Sequence, residues 1–159
     1  NPAVASKAIN GYDISLFKLN GPITFSNYIQ PICIPSSDTE STLTSNTDTV
    51  YGWGYQSDAA TAPATILQKL NVNLTPESTC RSSGYINGTS GSMICAVGAG
   101  SSGFCSGDSG GPLATKYSNG LTYSSGIVSY TVGSCGNPNI PDVYTRVSYY
   151  VDWIRANAV

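Results

Sequence analysis

The sequence predicts an all-β protein, a barrel or sandwich packed by one terminal helix. Three observations carry that reading. Short apolar runs of strand length recur along the chain, separated by turn formers, with 17 Gly and 9 Pro in 159 residues. Residues 66–74 alternate, with Leu67, Leu70, Val72 and Leu74, the pattern of a half-buried strand. Only the end has helical spacing: Val147, Val151 and Ile154 stand at i, i+4 and i+7, with Trp153 beside them. The length suits about one domain, and no internal repeat is apparent.

In chain order, the first 12 residues are small and polar and have little to bury. Asp13 to Leu19 reads as a strand, with Ile14, Leu16 and Leu19 among polar neighbours, and Gly21-Pro22 ends it. Ile29 to Pro35 is apolar but interrupted by prolines, so it reads as an extended crossing segment. Residues 36–48 are rich in Ser, Thr and Asp and read as a solvated linker. Thr49-Val50-Tyr51 forms a strand that stops at Gly52-Trp53-Gly54. Further strands follow at 66–74, Ser92 to Val97, Pro112 to Thr115, Leu121 to Tyr130 and Val143 to Val147. The third and fourth of these are joined through Asn119-Gly120, a strong hairpin signal.

Composition excludes several classes. Charged residues are 10% of the chain against about 25% in an ordinary domain. The net charge is −2, with no basic excess to neutralise phosphates, so nucleic acid is not an expected partner. No apolar run approaches the ~20 residues of a membrane helix, and no membrane partner is expected. At 40% hydrophobic the chain is too apolar for disorder. Five cysteines and two sequons, Asn73-Leu74-Thr75 and Asn87-Gly88-Thr89, suggest a secreted, N-glycosylated protein. Asn1-Pro2-Ala3 has neither the basic start nor the apolar core of a signal peptide, which reads as a processed chain. Histidine is absent, so chemistry that needs an imidazole requires one from elsewhere.

The chemically sharpest string is Cys105-Ser106-Gly107-Asp108-Ser109-Gly110-Gly111-Pro112. A nucleophilic hydroxyl needs a tight turn that exposes it and leaves backbone N–H groups facing a developing oxyanion. Glycines on both sides of Ser109 permit that geometry.

This string resembles the chymotrypsin/trypsin family of serine proteases, and seven others match that family in order. They are Tyr12 to Leu19, Pro31-Ile32-Cys33-Ile34-Pro35, Gly52-Trp53-Gly54, Met93-Ile94-Cys95-Ala96, Ser124 to Tyr130, Pro141 to Val147, and Trp153-Ile154. The resemblance implies two six-stranded antiparallel Greek-key barrels plus a C-terminal helix. Residues 1–35 would close the first barrel, 36–48 link the two, 49–147 form the second and 148–159 the helix. It implies Ser109 as nucleophile and Asp13 as the carboxylate that orients an imidazole. It implies an oxyanion hole from the N–H groups of Gly107 and Ser109, and a pairing of Asp108 with a buried α-ammonium. Protein substrates are implied, and no cofactor or metal is expected. The alternative is a catalytically inactive homologue that acts as a binding module.

Departures from the family pattern add further expectations. The missing histidine implies a heavy chain completed by a light chain of the same precursor. The family pairs Cys80 with Cys95 and Cys105 with Cys135, which leaves Cys33 for a disulfide to that light chain. A third family disulfide is lost at both ends, which fall at Asp48 and Thr115. The substrate pocket maps to Gly103, Phe104, Ser129, Tyr130, Thr131 and Asp142. Gly103 stands where an aspartate would select Arg or Lys, while Asp142 replaces a glycine across the pocket. If Asp142 turns inward it restores the preference for a cation; if outward, the pocket is neutral. The inward reading is taken. Phe104 is expected to fill part of the pocket and Thr131 to narrow its entrance, which gives Arg/Lys preference with broad tolerance. A narrower resemblance, to two-chain fibrin-degrading proteases of annelids, adds fibrin as an expected substrate.

Overall fold

The computed structural model describes Ala8, residues 10–38, Leu43 and residues 47–158. Six strands close into one antiparallel barrel. They are β1 (Thr47–Gly52), β2 (Gln68–Thr75), β3 (Met93–Gly98), β4 (Pro112–Lys116), β5 (Thr122–Tyr130) and β6 (Asp142–Arg146). Around the barrel the order is β1-β2-β3-β6-β5-β4, with β1 also bonded to β4. Closure leaves no unpaired sheet edge. A short helix α1 (Glu77–Ser82) lies between β2 and β3. A 3-10 turn (Ser148–Tyr150) leads into α2 (Val151–Asn157), which packs Ile154 inward. No described helix is long and apolar enough to cross a membrane.

Alternation places the core. Val50, Val72, Ile94, Leu113, Val128 and Tyr144 project into the barrel with Phe104 and Leu43. Leu113 and Tyr144 are fully buried. A second cluster of Cys80, Ile86, Met93, Cys95 and Val143 fills the space under α1, where the Cys80–Cys95 disulfide ties the helix to β3. The β4–β5 hairpin turns at Asn119-Gly120: Gly120 has φ +81°, and the Asn119 side-chain oxygen accepts from the Leu121 N–H at 2.9 Å. A Cβ on Gly126 would meet Leu113 and Tyr144 at 3.1 Å, so this glycine lets neighbouring side chains close over β5.

Two expectations change here. Asp13 to Leu19 forms no strand, and 12–35 has no regular element apart from the bridges Ser26–Ile29 and Cys33–Tyr123. A strand needs a neighbour to satisfy its backbone groups, and none of the described residues pairs with this one. Its apolar side chains are correspondingly exposed, Phe17 at 88% and Leu19 at 57%. The reading of 36–48 as solvated is also corrected. Asp38 has a buried carboxylate held by Arg146 Nε at 2.8 Å and Ser148 Oγ at 2.6 Å, Leu43 is buried in the core, and β1 already contains Asp48. Residues 1–7, 9, 39–42, 44–46 and 159 lie outside the described residues, so the parts of the polar start, the linker and the terminal helix that fall there do too. Helix α1 has no apolar periodicity to announce it; it is held by an Arg81–Glu77 ion pair at 2.7 Å and by Cys80.

The crossing segment is stapled to the barrel. The Cys33 N–H donates to the Thr122 carbonyl at 3.2 Å, and the Ser124 N–H donates to the Cys33 carbonyl at 2.8 Å. The Tyr150 hydroxyl donates to the Gly11 carbonyl, and Thr145 Oγ1 donates to the Asp13 carbonyl at 2.8 Å. These bonds fix Asp13 against β6 although it sits on no strand.

Candidate active site

The loop between β3 and β4 is anchored by the Cys105–Cys135 disulfide. It then reverses tightly: the Asp108 N–H donates to the Cys105 carbonyl at 3.1 Å and the Gly111 N–H to the Asp108 carbonyl at 2.9 Å. Gly107 at φ +96° and Gly110 at φ +82° hold a left-handed backbone that side chains resist. Two bonds to β5, Gly110 N–H to the Val128 carbonyl and Val128 N–H to the Gly111 carbonyl, both 2.9 Å, fix the turn. Ser109 stands exposed at its apex. Among the described residues no hydrogen bond occupies the N–H of Gly107 or of Ser109, so both are free for an oxyanion.

Asp108 turns the other way. Its Oδ1 accepts from the Gly54 N–H at 2.7 Å and its Oδ2 from the Cys105 N–H at 3.0 Å. A Cβ on Gly54 would lie 2.5 Å from the Asp108 Cγ, and one on Gly52 would overlap the carboxylate outright. The Gly52-Trp53-Gly54 motif is therefore a cradle for this side chain. The carboxylate opens onto a cavity of about 290 Å³ lined also by Lys69, Gly103, Phe104 and Gly136. An ammonium group would fit the chemistry of that space.

Asp13 and Ser109, 96 residues apart in the chain, line one cavity of about 470 Å³ with Tyr12, Ile14, Phe17, Gly110 and Ile127. Ser129 Oγ donates to Asp13 Oδ2 at 2.6 Å. Ser129, mapped to the pocket by resemblance, thus acts here on the carboxylate. With Thr145 on its carbonyl, Asp13 is held at both ends. Sequence reasoning missed Thr145; its place next to Arg146 on β6 gave no signal.

At the mapped pocket, Asp142 is buried at 4% exposure. Its Oδ2 accepts from the Phe104 N–H at 3.2 Å. A Cβ on Gly103 would stand 2.6 Å from that oxygen, so the loss of a side chain at 103 makes room for the carboxylate at 142. Burial pushes the Asp142 pKa up to about 6, with Thr131 and the Phe104 N–H acting in the opposite direction. Phe104 departs from expectation. Its ring packs edge-on against Tyr144 at 5.2 Å in the barrel core, because the interior offers it more apolar contact than a polar pocket. Tyr130 also commits its side chain inward, with its hydroxyl donating to the Tyr85 carbonyl at 2.8 Å.

The remaining singled-out residues are at the surface or half-buried. Cys33 is a half-buried free thiol, and Asn73 on β2 and Asn87 in the loop after α1 are exposed. Asp58, Cys105 and Cys135 lie close together, but both sulfurs are already in a disulfide and the Asp58 carboxylate accepts from the Cys135 N–H at 3.1 Å.

Comparison with known proteins agrees with this geometry. The family model described as Trypsin matches residues 1–154. Trypsin-1 of Astacus astacus is 47% identical over 148 residues, which cover 92% of this chain and 60% of that protein. Testisin of Homo sapiens is 43% identical over 152 residues, 91% of this chain and 47% of that protein. Serine proteinase stubble of Drosophila melanogaster is 36% identical over 148 residues, 90% of this chain and 18% of that protein. The chain thus spans 60% or less of these relatives' own lengths. By the match over residues 1–154 and the identity to these relatives, the chain belongs to the trypsin family.

Proposed function

We propose that this chain supplies the nucleophile, the oxyanion donors and the orienting carboxylate of a secreted serine endopeptidase. The observation that carries the reading is the shared cavity between Asp13 and Ser109. In the family's scheme Ser109 Oγ attacks the scissile carbonyl while an imidazole takes its proton and later passes it to the leaving amine. Asp13, held by Ser129, sets the imidazole tautomer and stabilises its positive charge. The N–H groups of Gly107 and Ser109 receive the oxyanion. The imidazole comes from a histidine outside these 159 residues, on a light chain joined through Cys33. The finer reading adds a preference for Arg and Lys with broad tolerance, supported by Asp142. It adds glycans at the exposed Asn73 and Asn87, and fibrin among the protein substrates.

A sulfonyl fluoride applied to the complete protease tests the reading. Ser109 becomes labelled, and Ser109→Ala loses both label and about six orders of magnitude of turnover. Failure to label in a folded sample that contains the histidine would instead favour the inactive homologue. Gels run with and without reductant read the partner: a chain of roughly 70–90 residues should separate on reduction, and identical mobility overturns the light-chain link.

A further inference from the structure

Four Asn-Gly pairs stand in the sequence, at Asn10, Asn20, Asn87 and Asn119. In such a pair the glycine nitrogen can attack the asparagine side-chain carbonyl, because no Cβ crowds it and its backbone rotates freely. The reaction needs that nitrogen and that side chain to be released from other partners, and the fold treats the four pairs differently.

Asn119 is locked. The Gly120 N–H donates to the Tyr117 carbonyl at 3.0 Å, the Asn119 side-chain oxygen accepts from the Leu121 N–H at 2.9 Å, and its Nδ2 donates to the Tyr123 hydroxyl at 3.0 Å. At Asn10 the Gly11 N–H donates to the Ala8 carbonyl at 2.8 Å, and Gly11 is buried against Ser92. At Asn87 the glycine is wedged. Gly88 is buried, a Cβ there would lie 2.6 Å from the Met93 methyl, and Arg81 Nη1 donates to its carbonyl at 2.6 Å. Asn20 differs. Asn20 and Gly21 are both exposed, and a Cβ placed on Gly21 would meet nothing within 4 Å. Among the described residues, neither the Asn20 side chain nor the Gly21 N–H makes a hydrogen bond. The N–H two residues on, which helps to lock Asn119, is missing at Asn20 because residue 22 is proline.

We propose that Asn20 is a modification site: it deamidates by spontaneous cyclisation onto Gly21, while Asn10, Asn87 and Asn119 are held back by the fold. The Gly21 nitrogen bonds to Asn20 Cγ and gives up its proton, the Cγ–Nδ2 bond breaks, and ammonia leaves with that proton. The resulting succinimide takes up water at either carbonyl and opens to aspartate or isoaspartate. The product carries one more negative charge than the net −2 of the chain, and its isoaspartate form has one more methylene in the main chain. Gly21 has open space around it, so the product is a charge isoform with the barrel intact. Each hydrogen bond that must break first slows cyclisation about fivefold, so the three at Asn119 set it back about a hundredfold relative to Asn20.

Peptide mapping by mass spectrometry tests this on the folded protein, incubated over time at mildly alkaline pH in oxygen-18 water. Asn20 should convert first, taking up heavy oxygen and giving both aspartate and isoaspartate, about a hundredfold faster than Asn119. Gly21→Ala fits the open space at that position and should slow Asn20 about tenfold without moving the urea midpoint. Tyr123→Phe should speed Asn119 about fivefold and leave Asn20 alone. In urea the rates at Asn10, Asn20 and Asn119 should converge, because the fold alone separates them. Conversion of Asn119 or Asn10 as fast as Asn20 in the folded protein overturns the proposal. So does a folded-state rate at Asn20 that falls about a hundredfold below its rate in urea.

Discussion

Replacing Asp48 by Asn should change how the stability of this protein depends on pH. Asp48 is 2% exposed on β1, opposite Thr115 on β4. Its Oδ1 accepts from the Thr115 hydroxyl, which also meets Ser125 Oγ, and Ser125 Oγ donates to the Leu113 carbonyl at 3.1 Å. Burial outweighs the Thr115 bond and raises the Asp48 pKa from its ordinary 3.8 to about 6. Because the folded value lies above the unfolded one, the group's contribution is fully present below about pH 3.8 and is lost as pH rises through 6. That difference is worth about 3 kcal/mol. Asn cannot ionise, so the gap between variant and parent should move by about 3 kcal/mol in favour of Asn from pH 3 to pH 8. The offset at pH 3 reads only the fit of the extra amide hydrogen. Urea unfolding followed by the fluorescence of Trp53 and Trp153 measures both curves. Parallel curves across that range would refute the assignment of a buried, proton-binding carboxylate here.

Other perturbations read other parts of the molecule. Gly54→Ala puts a methyl 2.5 Å from the Asp108 Cγ, so the Ser109 turn must shift. Sulfonyl fluoride labelling of the complete protease should slow about 100-fold, as a displacement near 1 Å does to an oriented group. Leu113→Ala empties a fully buried site in the barrel and should cost about 2–5 kcal/mol in urea unfolding, with little change in labelling at pH 8. Asp48→Cys combined with Thr115→Cys joins register partners 67 residues apart. The oxidised form should gain about 4 kcal/mol over the reduced one, lost again on adding dithiothreitol.

The barrel was legible because its strands are locally explicit. Val50, Val72 and Leu113 each point inward from a short run bounded by glycine, proline or an Asn-Gly turn, and all three are buried. The Ser109 string was legible because its glycines are demanded by a backbone that almost nothing else adopts. Asp13 was found by its neighbours in the sequence, but its strand was not there: the local alternation of Ile14, Leu16 and Leu19 needs a pairing partner, and periodicity does not reveal whether one exists. The buried Asp38 and the Ser129–Asp13 bond were invisible for a related reason. A polar side chain carries the same letter whether solvated or matched, and the matching groups, Arg146 and Ser148 in one case and Asp13 in the other, lie more than 100 residues away in the chain.

Asp48 and Asp142 show how one chemistry serves two ends. Each is a buried aspartate that accepts a hydrogen bond, Asp48 from the Thr115 hydroxyl and Asp142 from the Phe104 N–H, and burial lifts each to about 6. They differ in what surrounds them. The partners of Asp48 all lie on β4 and β5 inside the barrel, so no guest reaches it and ionisation only costs stability. Asp142 stands at the start of β6, in the space that Gly103 leaves, and accepts from the Phe104 N–H in the loop before β4. Stability against pH therefore adds the two groups together. Asp48→Asn should accordingly flatten only part of the stability curve, the remainder following Asp142; if it flattens the whole curve, the two carboxylates are coupled through Tyr144, which borders both.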